Sequence, residues 1–208
     1  MRQTVAFLSA IFIFLTGCSS AETKKVEGNI TGQGAPIITD GESENIINLS
    51  MSVVTSLNPV FNTDESADNV FSLMYEKLIN IGSDGKAEPN IAKSWSFNEE
   101  GNVLTLNLRN DVCFSDGSRL TAYDVAYTLR SIDKADSSYY KNCTNNIKTW
   151  SVTGDYSMSV TFYNGSGNNI FYLSFPVISR ALYGGEYAEE DISSNTALTN
   201  GLYRFEKL

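Results

Sequence analysis

The sequence predicts a mixed α/β fold, because a strand, a turn and a helix follow one another directly. Residues 103–109 place Leu104, Leu106 and Leu108 on one face and polar side chains on the other, which is the pattern of a half-buried strand. An Asp-Gly pair at 116–117 predicts a turn. A helix is predicted over residues 122–132.

The start of this helix carries a capping signal. Asp124 stands three residues after Thr121, which is close to a capping box in which Asp replaces the usual Glu. We expect the Thr121 hydroxyl to accept from a helix N–H, and the Asp124 carboxylate favours the positive end of the helix dipole. Val125, Leu129 and Ile132 recur at helical spacing and predict an apolar stripe that packs against the strand.

Three further strands and one further helix complete the predicted lobe. The strands lie at residues 46–53, 150–153 and 157–162, and the helix lies at residues 67–78. The glycine-containing stretches 82–85 and 165–167 each stand between apolar segments and are predicted to be turns. We expect the strands to pack under the helices.

The N-terminus resembles a lipoprotein signal. A positive start is followed by an apolar run at residues 5–15 that is too short to cross a bilayer, and small residues then precede Cys18. We expect residues 1–17 to be a signal peptide, residues 18–45 a lipid-anchored flexible tether and residues 46–208 the folded part. An ordinary cleaved signal and a signal anchor are the alternatives.

Composition excludes several classes of function. The chain is 42% hydrophobic, which is enough to build a core, and its net charge of −9 argues against a nucleic-acid partner. The absence of histidine removes Ser-His and Cys-His nucleophile pairs and all histidine-containing metal sites. Neither glycine-containing stretch has the Lys-Ser or Lys-Thr of a phosphate-binding loop. We therefore expect no enzyme activity, no metal site and no cofactor.

Two cysteines remain once Cys18 is assigned to the lipid anchor. Cys113 follows the leucine-rich strand, and Cys143 follows a pair of tyrosines. Outside the cytoplasm these two residues can form a disulfide, but two separate thiols fit the sequence equally well.

Five motifs follow one another in a distinctive order. They are Ser-Leu-Asn-Pro at 56–59, Tyr-Glu-Lys-Leu at 75–78, Glu-Pro-Asn-Ile-Ala-Lys-Ser-Trp at 88–95, the strand-turn-helix stretch 108–125 and Thr-Asn-Gly-Leu-Tyr at 199–203. From about residue 46 onward, their order and spacing resemble the peptide and nickel family (family 5, oligopeptide-binding) of substrate-binding lipoproteins that serve bacterial ABC importers.

The resemblance implies a two-lobed, periplasmic-binding-protein-like type II fold that binds its ligand between the lobes as they close on a hinge. Residues 46–208 then correspond to an incomplete N-terminal lobe. Because members of the family are much longer, the resemblance also implies that this chain is truncated and lacks the opposing lobe.

The resemblance places candidate ligand contacts in two segments. A loop that lines the cleft corresponds to Thr63, Asp64, Glu65 and Ser66, whose backbone suits an extended peptide. These residues also fit a helix start capped by Ser66 or Asp64. A ligand-contacting tyrosine of the family corresponds to Tyr140 or its neighbour Tyr139, although this pair also fits the edge of a core.

The function implied by the resemblance is capture of a peptide or related small solute for ABC permease subunits. We expect a monomer that is held on the outer side of the cell membrane by its lipid. The alternatives are a peptide-signal receptor or chaperone-like binder on the same scaffold, and a non-functional truncated remnant. The identity of the ligand stays open.

Overall fold

The computed structural model describes residues 12–15, 56–62, 65–135, 138–183 and 197–207. Within these residues the chain alternates strands with helices, as expected for a mixed α/β fold. The strands are β1 (Phe12–Leu15), β2 (Ile79–Ile81), β3 (Ala87–Pro89), β4 (Ala92–Phe97), β5 (Val103–Leu108), β6 (Ile147–Gly154), β7 (Ser157–Phe162) and β8 (Tyr203–Lys207). The α-helices are α1 (Glu65–Met74), α2 (Ala122–Lys134) and α3 (Arg180–Tyr183), and 3-10 helices occupy Pro59–Phe61, Lys141–Cys143 and Gly167–Leu173.

Four antiparallel strands form the main sheet, in the order β4-β5-β7-β6. Side chains alternate strictly across β5 and β7, so that Leu104, Leu106, Met158 and Val160 are fully buried on the inner face. The outer face carries hydroxyl side chains, as in the pairing of Thr105 with Ser159 and of Ser159 with Ser151. The predicted strands 103–109 and 157–162 are thereby confirmed, and the predicted strand 150–153 extends to Ile147–Gly154.

Helix α2 begins at Ala122, as predicted, with a capping box at its N-terminus. One oxygen of the Asp124 carboxylate accepts from both the N–H and the hydroxyl of Thr121, each at 2.9 Å. The other oxygen accepts from the Arg180 N–H at 3.0 Å. Asp124, in the first turn of α2, thus also holds the first residue of α3, and these hydrogen bonds compensate for the burial of its carboxyl group.

A buried hydroxyl joins α2 to the segment before α3. Thr128 is fully buried; its hydroxyl donates to the Asp124 carbonyl at 2.8 Å and accepts from the Ile178 N–H at 3.1 Å. Ser131, one turn further along, donates only within the helix, to the Tyr127 carbonyl at 3.0 Å. The Thr128 hydroxyl therefore bonds a residue outside α2, whereas the Ser131 hydroxyl donates to a residue of α2 itself.

Replacing Thr128 with valine should lower the free energy of unfolding by about 1–2 kcal/mol, because the shape is kept while the buried Ile178 N–H loses its acceptor. Ser131→Ala, the matched control, should cost about 0.5 kcal/mol or less, because only a bond within the helix is lost. Urea unfolding measures both variants. Equal losses would contradict the bridging role of Thr128.

Helix α1 is shorter than predicted at its C-terminal end. The prediction was residues 67–78, but the helix spans Glu65–Met74. Beyond it, the backbone turns to pair with another segment: the Leu78 N–H donates to the Phe175 carbonyl at 2.9 Å, and the Val177 N–H donates to the Glu76 carbonyl at 3.1 Å. Apolar periodicity in 75–78 therefore reflects burial in a strand-like segment and not continuation of the helix.

The Thr-Asn-Gly motif closes the end of α1. The N–H groups of Asn200 and Gly201 both donate to the Met74 carbonyl, at 3.1 and 2.8 Å. The Asn200 side chain accepts from the Glu76 N–H at 2.8 Å and donates to the Val177 carbonyl at 3.0 Å. Backbone groups that a helix end leaves unpaired are thus satisfied by a segment far along the chain.

Two predicted turns are observed. Stretch 82–85 joins β2 to β3, with Gly85 at a φ of 76°, a conformation that favours glycine. Gly117 has a φ of 86° in the turn at 116–117, where Asp116 accepts from the Ser118 N–H and hydroxyl. These two hydrogen bonds hold the pKa of Asp116 below its usual value. The third predicted turn, at 165–167, is instead an irregular stretch whose last residue begins the 3-10 helix Gly167–Leu173.

The two ends of the described chain meet in a two-stranded sheet. Strand β1 pairs antiparallel with β8, so that Leu15 faces Tyr203 and Phe14 faces Arg204. Strand β1 lies inside the predicted signal peptide, whereas the predicted strand 46–53 and tether 18–45 lie outside the described residues. In the part of the chain that is described, no helix has the length and apolarity needed to span a bilayer.

Candidate functional site

The segment 56–62 enters the lobe as a buried, self-capped turn. The Asn58 side chain accepts from the Val60 N–H at 3.0 Å and so caps the 3-10 helix Pro59–Phe61. The Ser56 hydroxyl accepts from the Asn58 N–H at 3.1 Å. Polar residues of the Ser-Leu-Asn-Pro motif therefore shape the backbone, and Pro59 supplies a favourable first position for the helix.

A tyrosine from the end of α1 secures this segment. The Tyr75 hydroxyl donates to the Leu57 carbonyl at 3.0 Å. Tyr75 is almost fully buried, and this burial raises the pKa of its hydroxyl well above the ordinary value. The hydroxyl therefore stays protonated and remains a donor at neutral pH.

The structure places Tyr139 and Tyr140 against residues on either side of the predicted segment 63–66. The Tyr139 N–H donates to the Asn62 carbonyl at 3.3 Å, immediately before the segment 63–66. The Tyr140 hydroxyl donates to Asp68 Oδ1, on α1, at 2.5 Å. We call this meeting point of Asn62, Asp68, Tyr139 and Tyr140 the tyrosine junction.

The individual predicted residues fall in different places. Thr63 and Asp64 lie outside the described residues. Glu65 is the first residue of α1, and Ser66 lies within its first turn, half-buried, and not at the capping position proposed as an alternative. Cys18 also lies outside the described residues.

The two tyrosines of the junction have opposite environments. Tyr139 is 54% exposed, whereas Tyr140 is only 4% exposed. Their rings meet edge to face, with centroids 5.2 Å apart and planes at 82°. Tyr139 thus offers an aromatic surface to a ligand, while the hydroxyl and ring of Tyr140 are engaged within the protein. Of the two predicted contact residues, Tyr139 is thus the one with a largely exposed side chain.

No disulfide joins Cys113 to Cys143. Cys113 pairs through its backbone with Arg119 at the turn after β5, while Cys143 ends the 3-10 helix Lys141–Cys143 and packs against the core. Of the two alternatives, the structure has the separate thiols. Burial raises the pKa of the Cys143 thiol to about 11, so it is protonated and unreactive at neutral pH.

Stability should fall in mildly alkaline solution. Burial raises the pKa of Cys143 from 9.0 to about 11 and that of Tyr183 from 10.0 to about 12. Folding favours the protonated form of both groups, so their contribution is complete below pH 9 and is lost as the pH rises toward 11 and 12. We expect the thermal unfolding midpoint to decrease from pH 9 to pH 11.

The matched variant for this pH dependence is Cys143→Ala, which removes the thiol that titrates first. Its midpoint should decrease less steeply than that of the unaltered chain between pH 9 and pH 11. Parallel pH profiles for the two proteins would show that the buried thiol does not titrate as expected.

Two parts of the junction were not assigned a role from sequence. The bond between Asp68 and Tyr140 spans 72 residues, a separation at which no local pattern signals a pair. Asn62 takes part in the junction through its backbone carbonyl, and the identity of its side chain gives no signal for that role. Within the described residues, no group of three or more His, Cys, Asp or Glu side chains is arranged to hold a metal ion.

A protein-family profile covers much of the chain. The profile described as "Bacterial extracellular solute-binding proteins, family 5 Middle" matches residues 86–208, which is more than half of the chain. The matched region includes the four-stranded sheet, α2 and the Thr-Asn-Gly motif.

Two curated relatives share parts of the sequence. The periplasmic oligopeptide-binding protein OppA of Escherichia coli (strain K12) is 33% identical over 104 residues, which are 50% of this chain and 19% of OppA. The dipeptide-binding protein of Lactococcus lactis subsp. cremoris (strain MG1363) is 28% identical over 139 residues, 66% of this chain and 22% of that protein. The chain thus spans about a fifth of the length of these relatives.

Solved structures share the fold. NikZ from Campylobacter jejuni, in complex with Ni(L-His), matches with a TM-score of 0.66 and 22% identity over 76% of this chain and 32% of NikZ. The oligopeptide-binding protein AppA from Bacillus subtilis, in complex with a nonapeptide, matches with a TM-score of 0.58 and 22% identity, over 65% of this chain and 28% of AppA. The predicted similarity to periplasmic binding proteins of this type is confirmed.

Proposed function

Because the chain belongs to the bacterial extracellular solute-binding proteins of family 5, we propose that it captures a peptide or related small solute as the binding component of an ABC importer. Relatives named for oligopeptide and dipeptide binding support peptides as the ligand class. The partners implied are the permease subunits of the importer, to which a monomeric binder would deliver its ligand. Domain 46–208 would be the part that binds.

The tyrosine junction is the observation that carries this proposal. It sets the exposed ring of Tyr139 beside the backbone that leads into segment 63–66, two features that suit a ligand of variable sequence. Backbone groups grip an extended peptide without reading its side chains, and an aromatic ring adds contact area with one polar handle. Thr63, Asp64, Glu65 and Ser66 stay proposed ligand contacts.

Ligand-induced stabilisation tests the proposal. Thermal unfolding of the purified chain is followed with and without a mixed peptide library, because a ligand at 100 times its Kd adds about 2.7 kcal/mol to the native state. We expect an upward shift of the midpoint. A cooperative transition that no peptide mixture shifts would refute peptide capture by this chain.

A pair of tyrosine variants locates the binding surface. Tyr139→Ala should reduce the ligand-induced shift. Tyr123→Ala is the matched control, because Tyr123 is also exposed, at 45%, but lies at the other end of α2, roughly 18 Å along a helix of this length. Equal reductions in both variants would argue against the tyrosine junction as the ligand surface.

We further propose that residues 1–17 are a cleaved lipoprotein signal and that Cys18 carries the lipid, with 18–45 as the tether outside the cytoplasm. Cleavage would remove β1, so the pairing of β1 with β8 would belong to the unprocessed chain. Several acyl chains, at about 0.8 kcal/mol per buried CH₂, hold a protein durably on a membrane. Membrane fractionation after expression in bacteria tests this. The unaltered chain should sediment with membranes as a processed product, and Cys18→Ala should leave an unprocessed precursor. Equal processing of both would exclude lipidation at this residue.

A further inference from the structure

A side-chain hydrogen bond connects the two segments of the tyrosine junction. Tyr140, which follows α2, donates its hydroxyl to Asp68 Oδ1 on α1 at 2.5 Å. A hydrogen bond from a hydroxyl to a carboxylate is shorter and stronger than one between neutral groups. This bond is therefore suited to hold two elements that are distant in sequence at a fixed separation.

The environment of Tyr140 keeps this bond in place. Burial of its side chain, assisted by the adjacent Asp68 carboxylate, raises the pKa of the Tyr140 hydroxyl far above its ordinary value. The phenol therefore keeps its proton and acts as a donor throughout the physiological range. Its backbone is also restrained, because the Tyr140 N–H donates to the Ser138 hydroxyl at 3.1 Å.

Fixing Tyr140 also fixes its exposed neighbour. The Tyr139 ring packs edge to face on the Tyr140 ring, and its N–H donates to the Asn62 carbonyl at 3.3 Å. A shift of Tyr140 away from Asp68 would thus move the Tyr139 ring. The same shift would loosen the hydrogen bond from the Tyr139 N–H to the Asn62 carbonyl. The Tyr139 ring is the described, exposed part of the proposed ligand surface.

We propose that Asp68 and Tyr140 are a positioning pair, which holds the exposed Tyr139 ring and the hydrogen bond of its backbone N–H to Asn62 in the arrangement that a ligand needs. This inference rests on the proposed function. It divides the tyrosines by role: Tyr139 touches the ligand, and Tyr140 acts through Tyr139. Asp68 is likewise a positioning residue and not a ligand contact.

Amide hydrogen exchange of the full chain, resolved by residue, tests the positioning directly and needs no ligand. In Tyr140→Phe, exchange of the Tyr139 N–H should accelerate at least tenfold. Exchange of the N–H groups of Leu104 and Val160, which pair within the main sheet, should stay unchanged and so exclude global unfolding. Unchanged exchange at Tyr139 would overturn the inference.

Variants of the acceptor give a graded control. Asp68→Asn keeps the size and one acceptor oxygen, so it should accelerate Tyr139 exchange less than Asp68→Ala does. The double variant Asp68→Ala/Tyr140→Phe should exchange no faster than the faster single variant, because each change breaks the same bond. Fully additive effects would show that the two residues act separately, which would overturn the pair.

Peptide affinity then connects position to binding. With the peptide library, Tyr140→Phe should weaken the apparent Kd about tenfold, although this substitution removes only the hydroxyl and retains the ring. Fast Tyr139 exchange with unchanged affinity would overturn the positioning role. Failure of the unaltered chain to bind any peptide would instead refute the proposed function, and the exchange measurements would still decide whether the bond orders the junction.

Discussion

Replacing Gly201 with alanine is expected to lower the free energy of unfolding by about 2–3 kcal/mol, as forcing atoms into a packed site does. A Cβ at this position would lie 2.7 Å from the Leu73 carbonyl oxygen and 2.7 Å from the Met74 carbonyl carbon. Both are backbone atoms at the end of α1, so no side-chain rotation relieves the clash. The Gly201 N–H bond to Met74, at 2.8 Å, would have to lengthen.

Gly167→Ala is the matched control for this change. A Cβ at Gly167 meets nothing within 4 Å, and the residue starts a 3-10 helix, where alanine is tolerated. We expect its stability to stay within about 0.5 kcal/mol of the unaltered chain. Urea unfolding of both variants distinguishes a clash from a general intolerance of alanine. A Gly201→Ala protein as stable as the control would mean that the motif does not dock as described.

Replacing Leu106 with alanine should lower the free energy of unfolding by about 3 kcal/mol, because it leaves a cavity in the centre of the main sheet. Leu106 is fully buried and lies between Trp95 on β4 and Met158 on β7. Both neighbours belong to paired strands that restrict how far they can collapse into the space. The loss should appear as a lower urea midpoint.

The neighbouring residue of the same strand provides the comparison. Thr105 points to the outer face and is exposed, and Thr105→Val keeps its β-branched shape. We expect it to change stability by about 0.5 kcal/mol or less. Comparable losses for Leu106→Ala and Thr105→Val would contradict the assignment of inner and outer faces.

Elements with a local signal were predicted well. Alternation of leucine with polar residues indicates β5, and Thr121 with Asp124 indicates where α2 begins. In each case the interactions that determine the element lie within a few residues of one another. The second bond of Asp124, to the Arg180 N–H, was not predictable, because it joins residues 56 positions apart.

Elements that depend on distant partners were predicted poorly. The apolar spacing of 67–78 extends past Met74, but hydrogen bonds to Phe175 and Asn200 end the helix there. Tertiary pairing overrides helical periodicity in such a segment. Strands β2, β3 and β4 were likewise not predicted, because β2 and β3 have only three residues each and β4 does not alternate regularly between buried and exposed residues.

The two segments of the candidate site could be predicted from the sequence, but the contacts between their residues could not. Family resemblance indicates 63–66 and 139–140 separately. In the structure Tyr140 is buried and bonded to Asp68, while Tyr139 is exposed. The resemblance assigns no role to Asp68. Neither composition nor the order of the motifs could therefore predict which of the two tyrosines is exposed.

The docking of the Thr-Asn-Gly motif also orders the events of folding. Asn200 accepts from the Glu76 N–H across 124 positions, whereas the strands of the main sheet pair between residues 92 and 162. The loop that the bond between Glu76 and Asn200 closes is longer, so closing it costs more entropy. The bond also requires that residue 201 has already left the ribosome or the export channel. We expect the sheet to form first, while the end of α1 stays open for a chaperone or a protease until the last residues of the motif arrive.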